Sequence, residues 1–136
     1  MACLDTTLLL DLRGRGGRKL RERAEKKVRE VKSAQEHLTT TIFNVAELWV
    51  GIERSKYPDK EQAIVESIVS PLFVLGFDNA SARAFGQITA SLETKGQPVG
   101  DMDALIASVA LVNNEAIITR NPRHFSRIPG LRVENY

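Results

Sequence analysis

Four acidic residues stand at the borders of three apolar runs, and those runs alternate with segments of helical period. Residues 1–4 close on Asp5. The run Thr41-Ile42-Phe43-Asn44-Val45-Ala46 leads into Glu47. Asp101 and Asp103 sit in Gly100-Asp101-Met102-Asp103, directly before Ala104-Leu105-Ile106-Ala107. Residues 1–4, 38–42, 72–76 and 116–119 read as strands, with 131–133 as a last short one. Helical patterns fill the spaces between them. One starts at Thr6 and ends at the glycines of 14–17. A charged one covers 18–32, with Leu20, Ala24, Val28 and Val31 as its apolar stripe. Further helices are predicted over 45–55 (capped by Asn44, with Glu47 on its first turn), 58–70, 80–95 (capped by Asp78, with Ala82, Phe85, Ile88 and Leu92 as its stripe) and 101–112, followed by a turn from Asn121-Pro122. Strands alternating with helices predict an α/β fold around a mainly parallel sheet of four to five strands. A chain of 136 residues is one domain by size, spanning 1–136.

In such sheets ligands bind beyond the carboxyl ends of the strands. Asp5 lies there after the first strand, Glu47 just after the second, and Asn121 after the fourth. Asp101 and Asp103 lie at a helix start. Two unit charges about 4 Å apart repel by roughly 4 kcal/mol at an effective dielectric near 20. Several carboxylates in one cleft therefore take up protons or hold cations. Their hard oxygens suit Mg²⁺ or Mn²⁺, which points to metal-assisted phosphodiester chemistry. Each acid also has a plain structural reading. Asp5 and Asp101 can cap helices, and Glu47 can answer a helix dipole. It is the recurrence of strand-end acids that carries the functional reading. No zinc-type ligand set is present, since only His37, His124 and Cys3 supply nitrogen or sulfur side-chain ligands of that type.

Net charge is +2, but unevenly spread. Between Arg13 and Lys32 stand ten basic and three acidic residues, leaving nine basic and fourteen acidic elsewhere. A basic segment on a mildly acidic body suits a polyanion. Arg13, Arg15, Arg18, Arg120 and Arg123 are the candidates for phosphate contact. Trp49 and Phe43 are expected in the core. A single cysteine excludes an internal disulfide, and Cys3 reads as a small core residue. No run approaches the roughly 20 apolar residues of a membrane span, and no signal peptide is evident, so a cytoplasmic location is expected.

Taken together, the motifs resemble a known family. Cys3-Leu4-Asp5-Thr6-Thr7-Leu8-Leu9-Leu10-Asp11 is similar to the opening of PIN-domain ribonucleases. Asn44-Val45-Ala46-Glu47-Leu48-Trp49-Val50-Gly51-Ile52-Glu53 resembles their second motif, and Gln97 through Ala107 the third. Ile117-Ile118-Thr119-Arg120-Asn121-Pro122-Arg123-His124-Phe125 resembles the fourth, and Ile128 through Tyr136 the usual ending. The nearest subgroup is the VapC-like toxins of toxin–antitoxin systems. The resemblance implies a three-layer α/β/α fold and a Mg²⁺- or Mn²⁺-dependent endoribonuclease. It also implies Asp5, Glu47 and Asp103 as the acidic core, Asp101 as an additional metal ligand, and Thr7, Thr119 and Asn121 as supporting residues. Further implications are a homodimer, an RNA substrate and a cognate antitoxin seated near residues 47–52. A fourth acid often found two residues after the strand-four Thr is here the uncharged Asn121.

Two other readings compete. A non-catalytic RNA-binding module of the same fold is favoured by Asn121. An aspartyl phosphatase would also open on a strand followed by Asp and Thr, but it needs a second Asp where Thr7 stands.

Overall fold

Side-chain alternation along two central strands divides the core in two. The computed structural model describes residues 2–136; Met1 of the expected first strand lies outside them. In β1 (Ala2–Leu4), Ala2 and Leu4 face one apolar cluster and Cys3 the other. In β4 (Ala116–Ile118), Ile118 joins the first cluster and Ile117 the second. Both strands are buried on both faces, as strands in the middle of a parallel sheet must be. Thr residues dominate β2 (Leu38–Thr41), with β3 (Phe73–Leu75) at one edge and β5 (Val133–Glu134) at the other. The order is β3-β2-β1-β4-β5, and every pairing is parallel. The sheet expected as mainly parallel is therefore wholly so, with five strands.

Helices cover the two faces. The first cluster takes apolar residues from α1 (Thr6–Arg13), α2 (Arg18–Ser33), α3 (Ile42–Arg54) and α4 (Pro58–Val69). The second takes them from α5 (Asn79–Thr94) and α6 (Asp101–Val112), with Phe125 and Ile128 sealing it. The result is the expected α/β/α sandwich. Gly14 ends α1 in the left-handed region at φ 93°, its N–H reaching the carbonyls of Leu10 and Asp11. The chain can then double back, and α2 packs on α1.

Three local readings change. Helix α3 starts at Ile42, three residues earlier than expected, because Thr41 is its cap. The Thr41 hydroxyl accepts the Asn44 N–H, and the Asn44 side chain accepts the Thr41 N–H, a reciprocal capping box. Glu47 thus lies on the second turn, where the dipole at the helix start no longer explains it. The cap before α6 is Gly100, so Asp101 is its first residue and makes no side-chain cap. Trp49 is 39% exposed on α3, and Phe73 is 66% exposed on the edge strand. Both are apolar side chains left uncovered by this chain.

The basic segment is held down by one acid. Arg13 donates from Nε and a terminal nitrogen to the two oxygens of Glu61 at 3.0 and 2.8 Å, and Arg15 adds a bond at 3.3 Å. The pair ties α1 to α4, and Arg13 depresses the Glu61 pKa first through that bond. Glu61→Gln is therefore expected to cost about 1–2 kcal/mol at neutral pH. A depressed carboxyl gives stability that is complete above its unfolded value and fades as pH falls through the folded one. The difference between wild type and variant, read from urea melts, should close below about pH 4.

Candidate active site

The sheet order places a crevice where the chain changes direction, since the connections from β1 run first toward β2 and β3 and later to β4 on its other side. Ligands in open α/β sheets bind at such a point. Asp5 follows β1 there, continuing the ladder by donating its N–H to Ile118 O at 3.0 Å. It occupies the cap position of α1, yet its side chain makes no capping bond. That removes the plain reading of Asp5 as a helix cap.

Its carboxylate is instead gripped from neighbouring strand ends. Thr119, after β4, donates to Oδ2 at 2.8 Å, and the Thr7 hydroxyl lies 3.4 Å from the same oxygen. The Asn44 amide donates to Oδ1 at 3.1 Å. Asp5 is 6% exposed and Asn44 fully buried. A carboxylate with both oxygens bonded inside a protein is fixed in direction. The Asn44 amide also donates to the Thr6 hydroxyl at 3.0 Å, which donates to Glu47 Oε1 at 2.7 Å. One asparagine therefore sets the positions of two acids.

Asp103, on the first turn of α6, completes the group from the other layer. His124 Nδ1 lies 3.2 Å from its Oδ2. The three acids lie close enough to feel one another's charge. The Glu47 pKa is raised first by burial, and then by repulsion from Asp5 and Asp103, against the lowering effect of the Thr6 bond. That of Asp103 is raised by burial and by Asp5, with His124 opposing. Asp101 stands apart. Two residues along a helix turn the side chain by roughly 200°, and Asp101 lines a separate small cleft with Thr89, Glu93 and Pro98. The side chain expected as an additional metal ligand thus lies on another part of the α6 surface from that of Asp103.

Among the described residues no three His, Cys, Asp or Glu side chains close into a cage that would hold an ion. The donor set is nonetheless all oxygen, negatively charged and self-repelling, with the cleft open to water. That fits a hard divalent ion that keeps part of its hydration shell and is held by few carboxylates. Protonation is the other outlet for the same repulsion. Replacing Glu47 by Gln is expected to raise the melting temperature in EDTA by a few degrees at pH 7. A raised carboxyl pKa means ionisation costs stability, increasingly as pH climbs from the unfolded value through the folded one. The gain should vanish near pH 4, and calorimetric scans at the two pH values check it.

The remaining candidates divide. Thr7 receives the Arg120 N–H at 3.1 Å, and the Asn121 N–H donates to Thr119 Oγ1 at 3.0 Å. Asn121 thus supports the site through its backbone. Arg120 turns away from the cleft to the buried Asp11, at 2.9 and 3.3 Å, where the Tyr136 hydroxyl also donates at 2.6 Å. Arg18 pairs with Glu22 on the exposed side of α2. Of the five arginines named from sequence, four are thus tied to carboxylates, and Arg123 alone lines the cleft with Asp103. Sequence reading missed Asn44, Thr6, His124 and Asp11 as participants. The Thr-x-x-Asn spacing of 41–44 was the available signal for the first.

Comparison with known proteins gives a consistent outcome. The PIN domain family model matches residues 2–131. The tRNA(fMet)-specific endonuclease VapC of Salmonella typhimurium is 43% identical over 94 residues, 69% of this chain and 71% of that protein. Ribonuclease VapC2 of Haemophilus influenzae is 37% identical over 99 residues, covering 73% and 75%. Among solved structures, VapBC2 from Rickettsia felis bound to a promoter DNA fragment superposes with TM-score 0.88 at 25% identity, covering 99% of this chain and 98% of that one. DNA-bound VapBC from Salmonella typhimurium gives 0.83 at 34%, with the same coverage.

Proposed function

From the premise that this chain belongs to the PIN domain family, we propose that it is an endoribonuclease acting as the toxin of a toxin–antitoxin pair. The observation that carries this is the Asp5 carboxylate at the sheet's switch point, fixed by Asn44 and Thr119 and close enough to Glu47 and Asp103 for their charges to interact. A Mg²⁺ or Mn²⁺ ion would be held by these three acids. Such an ion, when bound, supplies charge neutralisation at a phosphate and a more acidic water. The protein's own part is orientation. Thr119 and Asn44 aim Asp5, Thr6 aims Glu47, and His124 aims Asp103. Dipoles fixed before substrate arrives need no reorganisation during the reaction.

The relatives named for ribonuclease and tRNA(fMet) cleavage make RNA the substrate class, cut at an unpaired position where bases can be splayed. The structures similar to this one are toxin–antitoxin complexes, which supports a cognate antitoxin as partner. Trp49 and Val50, both exposed on α3, offer an apolar face for it. A homodimer belongs to the same proposal. Among the described residues no helix is long and apolar enough to cross a membrane, and we place the activity in the cytoplasm.

The test is cleavage of end-labelled tRNA(fMet) and total RNA by the purified chain, stripped with EDTA and then given Mn²⁺ or Mg²⁺. Discrete cuts restored by metal support the reading. Intact RNA at every metal concentration, with no heat of Mn²⁺ binding, would replace it with the non-catalytic module that the uncharged Asn121 favours.

A further inference from the structure

The segment after β4 is built to hold cations outward. Phe125 and Ile128 are 1% and 3% exposed and anchor it in the core, whereas Arg123, His124 and Arg127 are exposed. Pro122 opens the short 3₁₀ turn Pro122–His124 and restricts its backbone. Opposite this turn runs the loop Pro98–Gly100, which leads into α6. Between them lies a cleft of about 370 Å³ lined by Pro98, Val99, Asp103, Arg123, His124 and Arg127. One wall of this cleft is thus an acid of the candidate active site.

Most arginines near the site are committed elsewhere. Arg13 and Arg15 hold Glu61, Arg18 and Arg21 pair along α2, and Arg120 holds Asp11. None of the ion pairs among the described residues includes Arg123 or Arg127. Two guanidiniums without a carboxylate partner therefore face a nucleotide-sized cleft that touches Asp103. Guanidinium groups bind phosphate oxygens in a forked, two-bond geometry.

We propose that Arg123 and Arg127 form a phosphate-binding subsite for single-stranded RNA, seating a backbone phosphate next to the one that is cut. The proposal rests on the ribonuclease reading and names where the strand lies in that same site. The cleft reaches Asp103 from the β4 side, so the strand enters past the 3₁₀ turn rather than along the basic α2. His124 holds Asp103 at the border between the two phosphates. Contacts of this kind position the strand and are indifferent to its sequence.

The experiment uses the full chain carrying Asp5→Asn to prevent cutting, with a fluorescein-labelled single-stranded oligoribonucleotide as probe. Affinity is read by anisotropy across a salt series. Each lost phosphate contact removes about 0.7 from the slope of log affinity against log salt for single strands. Arg123→Gln with Arg127→Gln should lower affinity about tenfold or more and reduce the slope by about 1.4. Lys60→Gln on α4, on the other face of the sheet, should change neither. In the cutting-competent chain the double variant should raise KM more than it lowers kcat. Unchanged affinity and slope in the double variant would overturn the subsite, and would leave the ribonuclease reading intact if Asp5→Asn still abolishes cleavage. A wild type that binds the probe through these arginines yet cuts no RNA would overturn the ribonuclease reading instead.

Discussion

Asp5→Asn is expected to lower RNA cleavage by about 10³-fold or more while the chain melts within a few degrees of wild type. The hydrogen-bond pattern explains why the fold survives. An asparagine can turn its oxygen to the Asn44 amide, which needs an acceptor, and its NH₂ to Thr119. The Thr119 hydroxyl can reverse from donor to acceptor, because it is a rotor that already accepts the Asn121 N–H. What cannot be replaced is the charge. Removing one of three mutually repelling carboxylates also weakens any hold on a divalent ion, so heat of Mn²⁺ binding should fall in parallel with activity. The raised pKa of Glu47 should drop toward normal, since Asp5 contributes to that rise. Cleavage retained at the wild-type rate would remove Asp5 from the chemistry and with it the centre of the proposed site.

Cleavage and melting measured together separate this residue from the structural acids. Asp11 and Glu61 are as buried as Asp5, but each faces an arginine rather than other acids. Burial alone therefore does not mark a functional carboxylate here.

How far the sequence could carry the reading depended on the range of the interaction. Asp5 was legible because its strand-to-helix junction can be seen locally, and a parallel sheet brings strand ends together whatever the details; Asp103, at a helix start that follows a loop, was singled out by the resemblance of its motif. Thr7 and Thr119 likewise came from the resemblance, not from strand geometry. Partners far along the chain were not legible. Arg13 and Glu61 are 48 residues apart, and Arg120 and Asp11 are 109 apart, so arginines that looked available for RNA are consumed by the fold. Exposure was hidden for the same reason. Trp49 read as core because it is apolar, but coverage is a tertiary property, and the position it occupies is an outer helix face. The three-residue error at the start of α3 had a local cause. Thr and Asn are both good caps, and Thr41 and Asn44 stand three apart, so either could begin the helix. Packing chose Thr41, which freed the Asn44 amide for the site.

Asn44 is consequently where stability and activity should fall together. Asn44→Ala is expected to lower stability by about 3 kcal/mol and cleavage by about 10²-fold or more. Its carbonyl oxygen accepts from the Thr41 N–H at 3.2 Å and the Thr41 hydroxyl at 2.7 Å, and its amide donates to Asp5 and Thr6. Alanine leaves these buried groups without partners, each costing about 1–3 kcal/mol where water cannot enter, and adds a cavity. Asp5 and Thr6, released from a common donor, would no longer hold a fixed direction, and misplacement by about 1 Å can cost 10²-fold. Asn44→Asp distinguishes the two roles. It keeps the shape and the acceptor for Thr41, so the cap survives, but it sets a carboxylate oxygen where an amide faced Asp5 at 3.1 Å. Like charges there either expel a proton-free state or call for a cation. The aspartate variant should therefore be destabilised in EDTA and recover with Mn²⁺, while the alanine variant should not recover. Equal recovery of both, read as melting temperature against metal concentration, would mean that Asn44 acts only as a helix cap and that Asp5 is aimed by Thr119 without it.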